Sequence, residues 1–355
     1  MKTNFCISIN DVTPGMILNE NILKDGNLLL PKGAVIKPAY ISQLAARGVS
    51  FVNVCAERSH YKDIIRNPVE RFYAEAYEDI ASIVDFIKDG RFPESPQIYL
   101  VVEKILDKVF TNRSAMLLLT GLRGKCDYYY AHSLDVCIYS LIAAKAMGMS
   151  YEDTVILGTG ALLHDIGKTK VPDEILLKQG SLTEAELREV KKHPEHGFRI
   201  AAKAFGSRHP VSKIILQHHE RCDGSGYPLR LKGEETLFYS QIVAVADIYD
   251  ALVSDKVYRK KILPHEAAEY LLCMSNSSLN GEITGIFLKN ISIYPRGCQV
   301  LLNTKEVAVV LDSNPRMSLR PLLRIITDSD RNMLAHPFEF DLETHPGVFI
   351  VDMFN

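Results

Sequence analysis

The chain contains the stretch QHHERCDGSGYP at residues 217–228, where two adjacent histidines precede a segment with three backbone breakers. Neighbouring residues on a helix point about 100° apart, so a His-His pair seldom serves one face of a core. At the end of a helix, both imidazoles of His218 and His219 can converge on one pocket. Neutral imidazoles beside a loop that admits substrate are typical of a catalytic metal site. The alternative is a polar helix end followed by an ordinary turn.

The composition is that of an ordinary globular protein with two or three domains. The chain has 355 residues, of which 47% are hydrophobic and 24% are charged, and its formal net charge is -2. This balance gives no reason to expect a nucleic-acid polymer as a partner. The sequence shows neither the apolar core of a signal peptide nor a run of about 18 apolar residues. We therefore expect no membrane segment and a cytoplasmic protein, with its seven scattered cysteines reduced.

Changes in residue pattern divide the chain into four regions. They are a small β-rich module, a helical linker, a helical domain and a second small β-rich module, at residues 1–60, 61–112, 113–284 and 285–355. The linker has the three-and-four apolar rhythm of amphipathic helices, which pair with a second copy of the chain or pack within the monomer. Residues 291–297 read as a strand followed by a turn. The predicted fold class is mainly α, a helical bundle flanked by β-rich modules.

Seven side chains in the helical domain are candidate metal ligands, because each lies near a predicted helix end or interrupts an apolar helix face. They are His132, His164, Asp165, His193, His218, His219 and Asp247. Helical bundles commonly build metal sites from side chains that project inward. Five imidazoles and two carboxylates without a thiolate suit Fe, Mn, Ni, Co or Zn better than Mg alone.

The adjacent pair His164-Asp165 has a specific use in such a site. The carboxylate of Asp165 can bridge two metals roughly 3.5–4 Å apart, while the imidazole of His164 binds one. A bridged pair can acidify a shared water to hydroxide near neutral pH and can clamp phosphoryl oxygens. Hydrolysis of a phosphodiester needs this arrangement.

His164-Asp165-Ile166-Gly167-Lys168, taken together with residues 218–228, resembles the HD-GYP domain of bacterial cyclic di-GMP phosphodiesterases. Further matches lie at residues 130–133, 171–173, 193–194 and 247–252, and the resemblance covers about residues 113–280. It implies an HD-superfamily helical bundle with a centre of two or three metals. Such a domain hydrolyses cyclic di-GMP to the linear dinucleotide pGpG and often further to GMP.

The resemblance also implies roles for individual residues. The seven candidate ligands would hold the metals, with Asp165 bridging and with Fe or Mn favoured. Asp165 and Lys168 would be catalytic, and Lys168 would contact a phosphate or the bridging water. Further substrate contacts would come from Gly226, Tyr227, Lys256 and Arg259. The implied partners are the cyclic dinucleotide, a second copy of the chain and GGDEF-type proteins.

One position departs from the family pattern and bears on the number of metals. Members with three metals have a glutamate four residues before the first histidine, and this chain has Tyr128 there. We therefore predict two divalent ions.

Three other functions stay open. The substrate could be another cyclic dinucleotide, such as 3',3'-cGAMP, because base-reading residues lie outside the motifs. The domain could sense a cyclic dinucleotide or dock partners without turnover, although every ligand of a two-metal centre is present. A general phosphohydrolase acting on nucleoside phosphates shares the His-Asp pair but does not require residues 218–228. Hydrolysis of cyclic di-GMP is the function that the sequence favours.

Overall fold

The computed structural model describes residues 2–354 apart from several short segments. These segments are residues 10, 25–26, 50, 58–67, 92–93, 112–127, 179, 255–261, 276, 292, 295 and 313–318. Two predicted substrate contacts, Lys256 and Arg259, lie outside the described residues.

The N-terminal module is a small β structure with one helix and its own core. Its elements are strands Lys2–Ser8 (β1), Ile17–Leu18 (β2), Ile22–Lys24 (β3), Asn27–Leu30 (β4) and Phe51–Glu57 (β5), and helix Pro38–Ala46 (α1). Strands β1, β5 and β2 form an antiparallel sheet in that order, and β3 pairs with β4. Leu18, Ile36 and Val54 are each about 1% exposed in the core of this module.

Two amphipathic helices, Pro68–Lys88 (α2) and Ser95–Thr111 (α3), follow this module. Their apolar faces are buried in the main core, where Ile80, Ile98 and Ile105 are fully enclosed. The rhythm predicted from the sequence is therefore used for packing within the monomer.

The helical domain comprises a series of helices around that same core. They are Tyr128–Ala146 (α4), Tyr151–Leu163 (α5), Asp173–Leu176 (α6), Glu184–Val190 (α7), His193–Phe205 (α8), Pro210–Gln217 (α9), Phe238–Val253 (α10), Pro264–Met274 (α11) and Gly281–Asn290 (α12), with a 3-10 helix at Ile166–Lys170. The Thr-x-x-Glu spacing of Thr183 and Glu186 predicts a capping box, and these residues form one at the start of α7. A proline inside a helix loses a hydrogen bond, so His193-Pro194 predicts a helix break. Helix α8 begins there, with the proline in the first turn, where it costs no hydrogen bond.

The C-terminal module is an antiparallel sheet. Its strands are Gln299–Leu302 (β6), Val307–Asp312 (β7), Leu322–Thr327 (β8), Met333–Asp341 (β9) and Ile350–Phe354 (β10), in the order β10-β6-β7-β8-β9. The apolar pattern of the sequence does not predict β9. This strand is at the edge of the sheet, contains Pro337 and is mostly exposed, so it lacks the apolar alternation of a half-buried strand.

The strand predicted within residues 291–297 is wrong for the residues that the structure describes there, whereas the predicted turn is present at residues 296–297. Ile291, Ile293 and Tyr294 form bends, and all three are buried in the core that continues from the helices into the sheet. These residues are apolar because they are buried where the helices meet the C-terminal sheet, and not because they form a strand. The predicted fold class is otherwise confirmed: a mainly helical fold carries a small β module at each end. Among the residues that the structure describes, no helix is both long and apolar enough to cross a membrane.

A close contact between α5 and α9 depends on a glycine. A Cβ atom at Gly160 would lie 2.5 Å from Cδ1 and 2.8 Å from Cβ of Ile214, which is fully buried. In contrast, a Cβ atom at Gly285 in α12 would have no neighbour within 4 Å.

We predict that Gly160→Ala lowers the free energy of unfolding by about 1–3 kcal/mol, because the added methyl overpacks the α5–α9 contact. Gly285→Ala is the matched control, and it should leave stability unchanged or raise it by up to about 1 kcal/mol. Urea denaturation in the presence of a chelator measures both. Equal stability of the two variants would contradict the tight contact.

Candidate metal centre

Three of the predicted ligand histidines are fixed by backbone carbonyls at the ends of helices. In each, Nδ1 lies 2.8 Å from the carbonyl oxygen three residues earlier. The pairs are His164 with Ala161, His193 with Val190 and His218 with Ile215. These carbonyls belong to the last turns of α5, α7 and α9, where carbonyls lose the usual partner four residues later. The Ala161 carbonyl also accepts the His164 backbone N–H at 3.5 Å. Because a carbonyl only accepts, each Nδ1 donates, and each Nε2 presents its lone pair.

His132 is held differently, because it lies inside α4. Its Nδ1 is 2.6 Å from Oδ2 of Asp250, and its Nε2 is 3.1 Å from Oδ1 of Asp247. The two aspartates are three residues apart in α10 and therefore share one face of that helix. All three side chains are buried.

The predicted ligands form two groups that share Asp165. In one group, the ligand atoms of Asp165, His193, His218 and His219 lie within 4.8 Å of one another, and in the other group those of His132, His164 and Asp165 do so. Asp247 adjoins both groups, with Oδ2 also 3.6 Å from Nδ1 of His219. The structure thus brings all seven predicted ligands into one centre, with Asp165 placed where a bridging carboxylate would be needed.

Facing imidazole nitrogens lie close together in both groups. The Nε2 atoms of His193 and His218 are 3.2 Å apart, and those of His132 and His164 are 3.3 Å apart. In the His193–His218 pair both protons are on Nδ1, so the facing lone pairs repel unless a proton or metal lies between them. In addition, the buried Oδ1 of Asp165 has no hydrogen-bond partner within the described part of the chain. These donors fit divalent metal ions.

Burial disfavours the charged form of three imidazoles near Asp165. Burial lowers the pKa of His193 to about 4 and holds the pKa values of His218 and His219 well below the usual range. Burial also lowers the pKa of His132, but its hydrogen bonds to Asp247 and Asp250 outweigh this and raise it.

The carboxylates of the centre are ionised. Burial raises the pKa of Asp165, but the Lys168 ammonium and the nearby imidazoles outweigh it and hold that pKa well below its usual range. The pKa of Asp247 is likewise lowered against burial by His132 and the other imidazoles. Ionised carboxylates and neutral imidazoles are the protonation states that bind metals.

Two glycines allow the backbone segments that carry Asp165 and His193 to meet. A Cβ atom at Gly167 would lie 1.9 Å from the His193 carbonyl oxygen and 2.5 Å from the Gly197 nitrogen. The motif at residues 164–168 does not by itself predict this contact. The glycine is required because the 3-10 helix and α8 touch backbone to backbone.

The loop after His219 is closed by a buried carboxylate. Oε1 of Glu220 accepts the Leu229 N–H at 2.6 Å, and Oε2 accepts the Leu231 N–H at 3.0 Å. Glu220 is 3% exposed. Its position directly after the ligand pair is the only sign in the sequence of this role, which the sequence analysis does not assign.

The loop places an aromatic ring beside His219, and a lysine at the end of α7 lies over that ring. The ring of Tyr227 stacks on the imidazole at 4.7 Å between centroids, and Nζ of Lys191 lies 5.2 Å from the Tyr227 centroid. Gly226 packs against the backbone of residues 219–221, where a Cβ atom would lie 2.5 Å from the Arg221 nitrogen. The geometry therefore gives Gly226 a packing contact.

Of the remaining predicted residues, the structure describes Lys168 and Tyr128. Lys168 is partly exposed, and its Nζ is 2.5 Å from Oδ2 of Asp165. Tyr128 is the first residue of α4. Lys256 and Arg259 lie outside the described residues.

Comparisons with known proteins match this architecture. Residues 123–283 match the family model of the HD domain, and residues 299–355 match the model of a KOW domain associated with the HD domain. A solved structure of an HDG"Y"P protein from Bdellovibrio bacteriovorus superposes with a TM-score of 0.53 at 17% identity, over 80% of this chain and 98% of that one. At this identity the likeness supports the fold alone.

Two curated relatives are named as cyclic-dinucleotide phosphodiesterases. A cyclic di-GMP phosphodiesterase from Pseudomonas aeruginosa is 34% identical over 252 residues, which are 69% of this chain and 60% of the relative. A 3'3'-cGAMP-specific phosphodiesterase from Vibrio cholerae is 32% identical over 172 residues, which are 48% of this chain and 37% of the relative. The chain therefore spans less than two thirds of the length of either relative. Together with the motifs and the helical fold, these matches show that residues 123–283 form an HD domain of the HD-GYP type.

Proposed function

We propose that this protein is a metal-dependent phosphodiesterase that hydrolyses cyclic di-GMP to pGpG. The observation that carries the proposal is the pair of imidazole–carboxylate groups joined at Asp165, whose facing Nε2 atoms lie 3.2 and 3.3 Å apart. The donors of each group fit a divalent cation, and a shared carboxylate would set two such cations side by side. One curated relative named for this activity and another named for hydrolysis of 3'3'-cGAMP support the choice of cyclic dinucleotides as the substrate class.

The chain's own residues divide the work at this centre. His193, His218 and His219 would hold one ion, His132, His164 and Asp247 would hold the other, and Asp165 would bridge them. Two divalent ions supply Lewis-acid activation of water and of phosphoryl oxygens when bound. We favour Fe or Mn because the centre combines five imidazoles, which suit Fe, with two carboxylates, which suit Mn.

Substrate would be held by groups at the open side of the centre. The Lys168 ammonium already contacts Asp165 and is partly exposed, so it can also meet a phosphate oxygen. Tyr227 lies over His219 and would line the cleft beside a base or ribose. Lys256 and Arg259 would bind phosphates, since a guanidinium can do so in bidentate fashion.

A second candidate is hydrolysis of the mixed dinucleotide 3',3'-cGAMP, favoured by the relative named for that substrate. Both substrates present the same 3',5'-phosphodiester to the metals and differ in one base. The residues of the centre would act identically on either one.

We predict that protein loaded anaerobically with Fe(II) or Mn(II) converts cyclic di-GMP to a linear product, and that metal-stripped protein does not. Parallel assays with 3',3'-cGAMP, followed by chromatography of the products, decide between the two substrates. Turnover of neither dinucleotide with either metal would refute the proposed activity and favour a sensor.

Asp165→Ala should abolish hydrolysis and lower metal content together, because both ions lose the shared ligand. The expected fall in activity exceeds about 100-fold, since even losing a hydrogen-bond partner of a metal ligand costs about 10–100-fold. Asp173→Ala removes an exposed carboxylate eight residues further on and is the control. Retained activity in a metal-free Asp165→Ala protein would contradict the bridged centre.

Glu220→Gln should raise KM for the dinucleotide about tenfold while leaving metal content unchanged. The substitution takes one acceptor from the loop that carries Tyr227, and a hydrogen bond to a charged group contributes about 1.5–3 kcal/mol. Glu235→Gln is the matched control, because Glu235 accepts the Lys232 N–H at 2.8 Å in the same loop but is exposed. An unchanged KM in Glu220→Gln would mean that the loop does not need this closure.

A further inference from the structure

The hydrogen bond that fixes His132 differs in kind from those of the other buried histidines. His164, His193 and His218 use carbonyls left free at helix ends. His132 lies within α4, where backbone carbonyls are engaged by the N–H groups of the next turn. A side chain must therefore accept from its Nδ1, and Oδ2 of Asp250 does so at 2.6 Å.

Asp250 is placed to orient an imidazole and not to bind a metal. It is fully buried, and its carboxylate meets the side of the ring opposite the Nε2 atom that faces the centre. Its other oxygen accepts from Ser254 Oγ at 3.4 Å. Asp250 belongs to neither of the two ligand groups.

The two ligand groups contain different numbers of imidazoles, and this difference gives the Asp250–His132 contact its importance. The group around His193 has three imidazoles besides Asp165, whereas the group around His132 has two. A carboxylate that accepts from a ligating histidine fixes its tautomer and ring orientation and makes it a better donor. The group with fewer nitrogens is therefore the one that has this support.

We propose that Asp250 is a positioning residue that sets the affinity of one metal position, the one that His132, His164 and Asp247 would form with the bridging Asp165, and leaves the other position unaffected. The inference rests on the two-ion centre of the proposed function. A substitution at Asp250, which would contact neither ion, should then weaken one metal position and leave the affinity of the other unchanged.

The test is a calorimetric titration of metal-free protein with Mn(II). Metal content is measured separately by mass spectrometry after desalting. The wild-type chain should bind two ions. Asp250→Ala should bind one ion with unchanged affinity, and its second ion about 10–100-fold more weakly. Asp250→Asn retains an oxygen that can accept from Nδ1, so it should restore part of the affinity and leave a loss of about tenfold or less.

Asp135→Asn is the matched control for a purely structural effect. Asp135 is also fully buried, and its Oδ1 accepts a hydrogen bond from the Tyr73 hydroxyl at 2.6 Å, between α4 and α2. This variant should lower the melting temperature of the metal-free protein and still bind two ions. Two ions at wild-type affinity in Asp250→Ala, or equal weakening of both positions, would overturn the proposal.

The outcome stays separate from that of the proposed function. A wild-type chain that binds two Mn(II) ions but hydrolyses no cyclic dinucleotide would refute the activity, while the titrations of the Asp250 variants would still decide the positioning role. A wild-type chain that binds fewer than two ions would overturn both the two-ion centre and the inference.

Discussion

Two pairs of imidazole Nε2 atoms face each other in the interior of the helical domain, at 3.2 Å and 3.3 Å, and in the His193–His218 pair both protons are held on the far side of the ring. Such an arrangement is unfavourable by itself, because lone pairs repel and buried polar atoms without partners are costly. A cation in each group removes both problems. Three features of the domain hold the rings in that arrangement, namely the helix ends, the shared Asp165 and the α10 aspartates.

The ends of the helices explain how distant parts of the sequence meet at one centre. Helices α5, α7 and α9 each stop with free carbonyls, and a histidine follows within three residues to satisfy one of them. The same hydrogen bond therefore caps a helix and aims a ligand. Gly160 and Gly167 let these ends approach, because neither position has room for a side chain. Packing and site geometry are consequences of the same contacts.

Sequence patterns predicted the parts of the structure that depend on local chemistry. The helix break at His193-Pro194, the capping box at Thr183 and the gathering of the seven candidate ligands follow from motifs with physical causes. The sequence did not reveal contacts that depend on tertiary approach, such as the closure of the loop by Glu220. The edge strand β9 was missed because it is exposed, and the run at residues 291–297 misled because burial at a junction resembles a buried strand.

The caps on His164, His193 and His218 have a consequence for the thermodynamics of metal capture. A side chain tied to its own backbone three residues earlier has little rotamer freedom left to lose when an ion arrives. The ordering entropy of these ligands is therefore spent during folding of the helices and not during binding. Metal affinity in this centre should then follow the rigidity of the helix ends, so that a substitution remote from every ligand can change it.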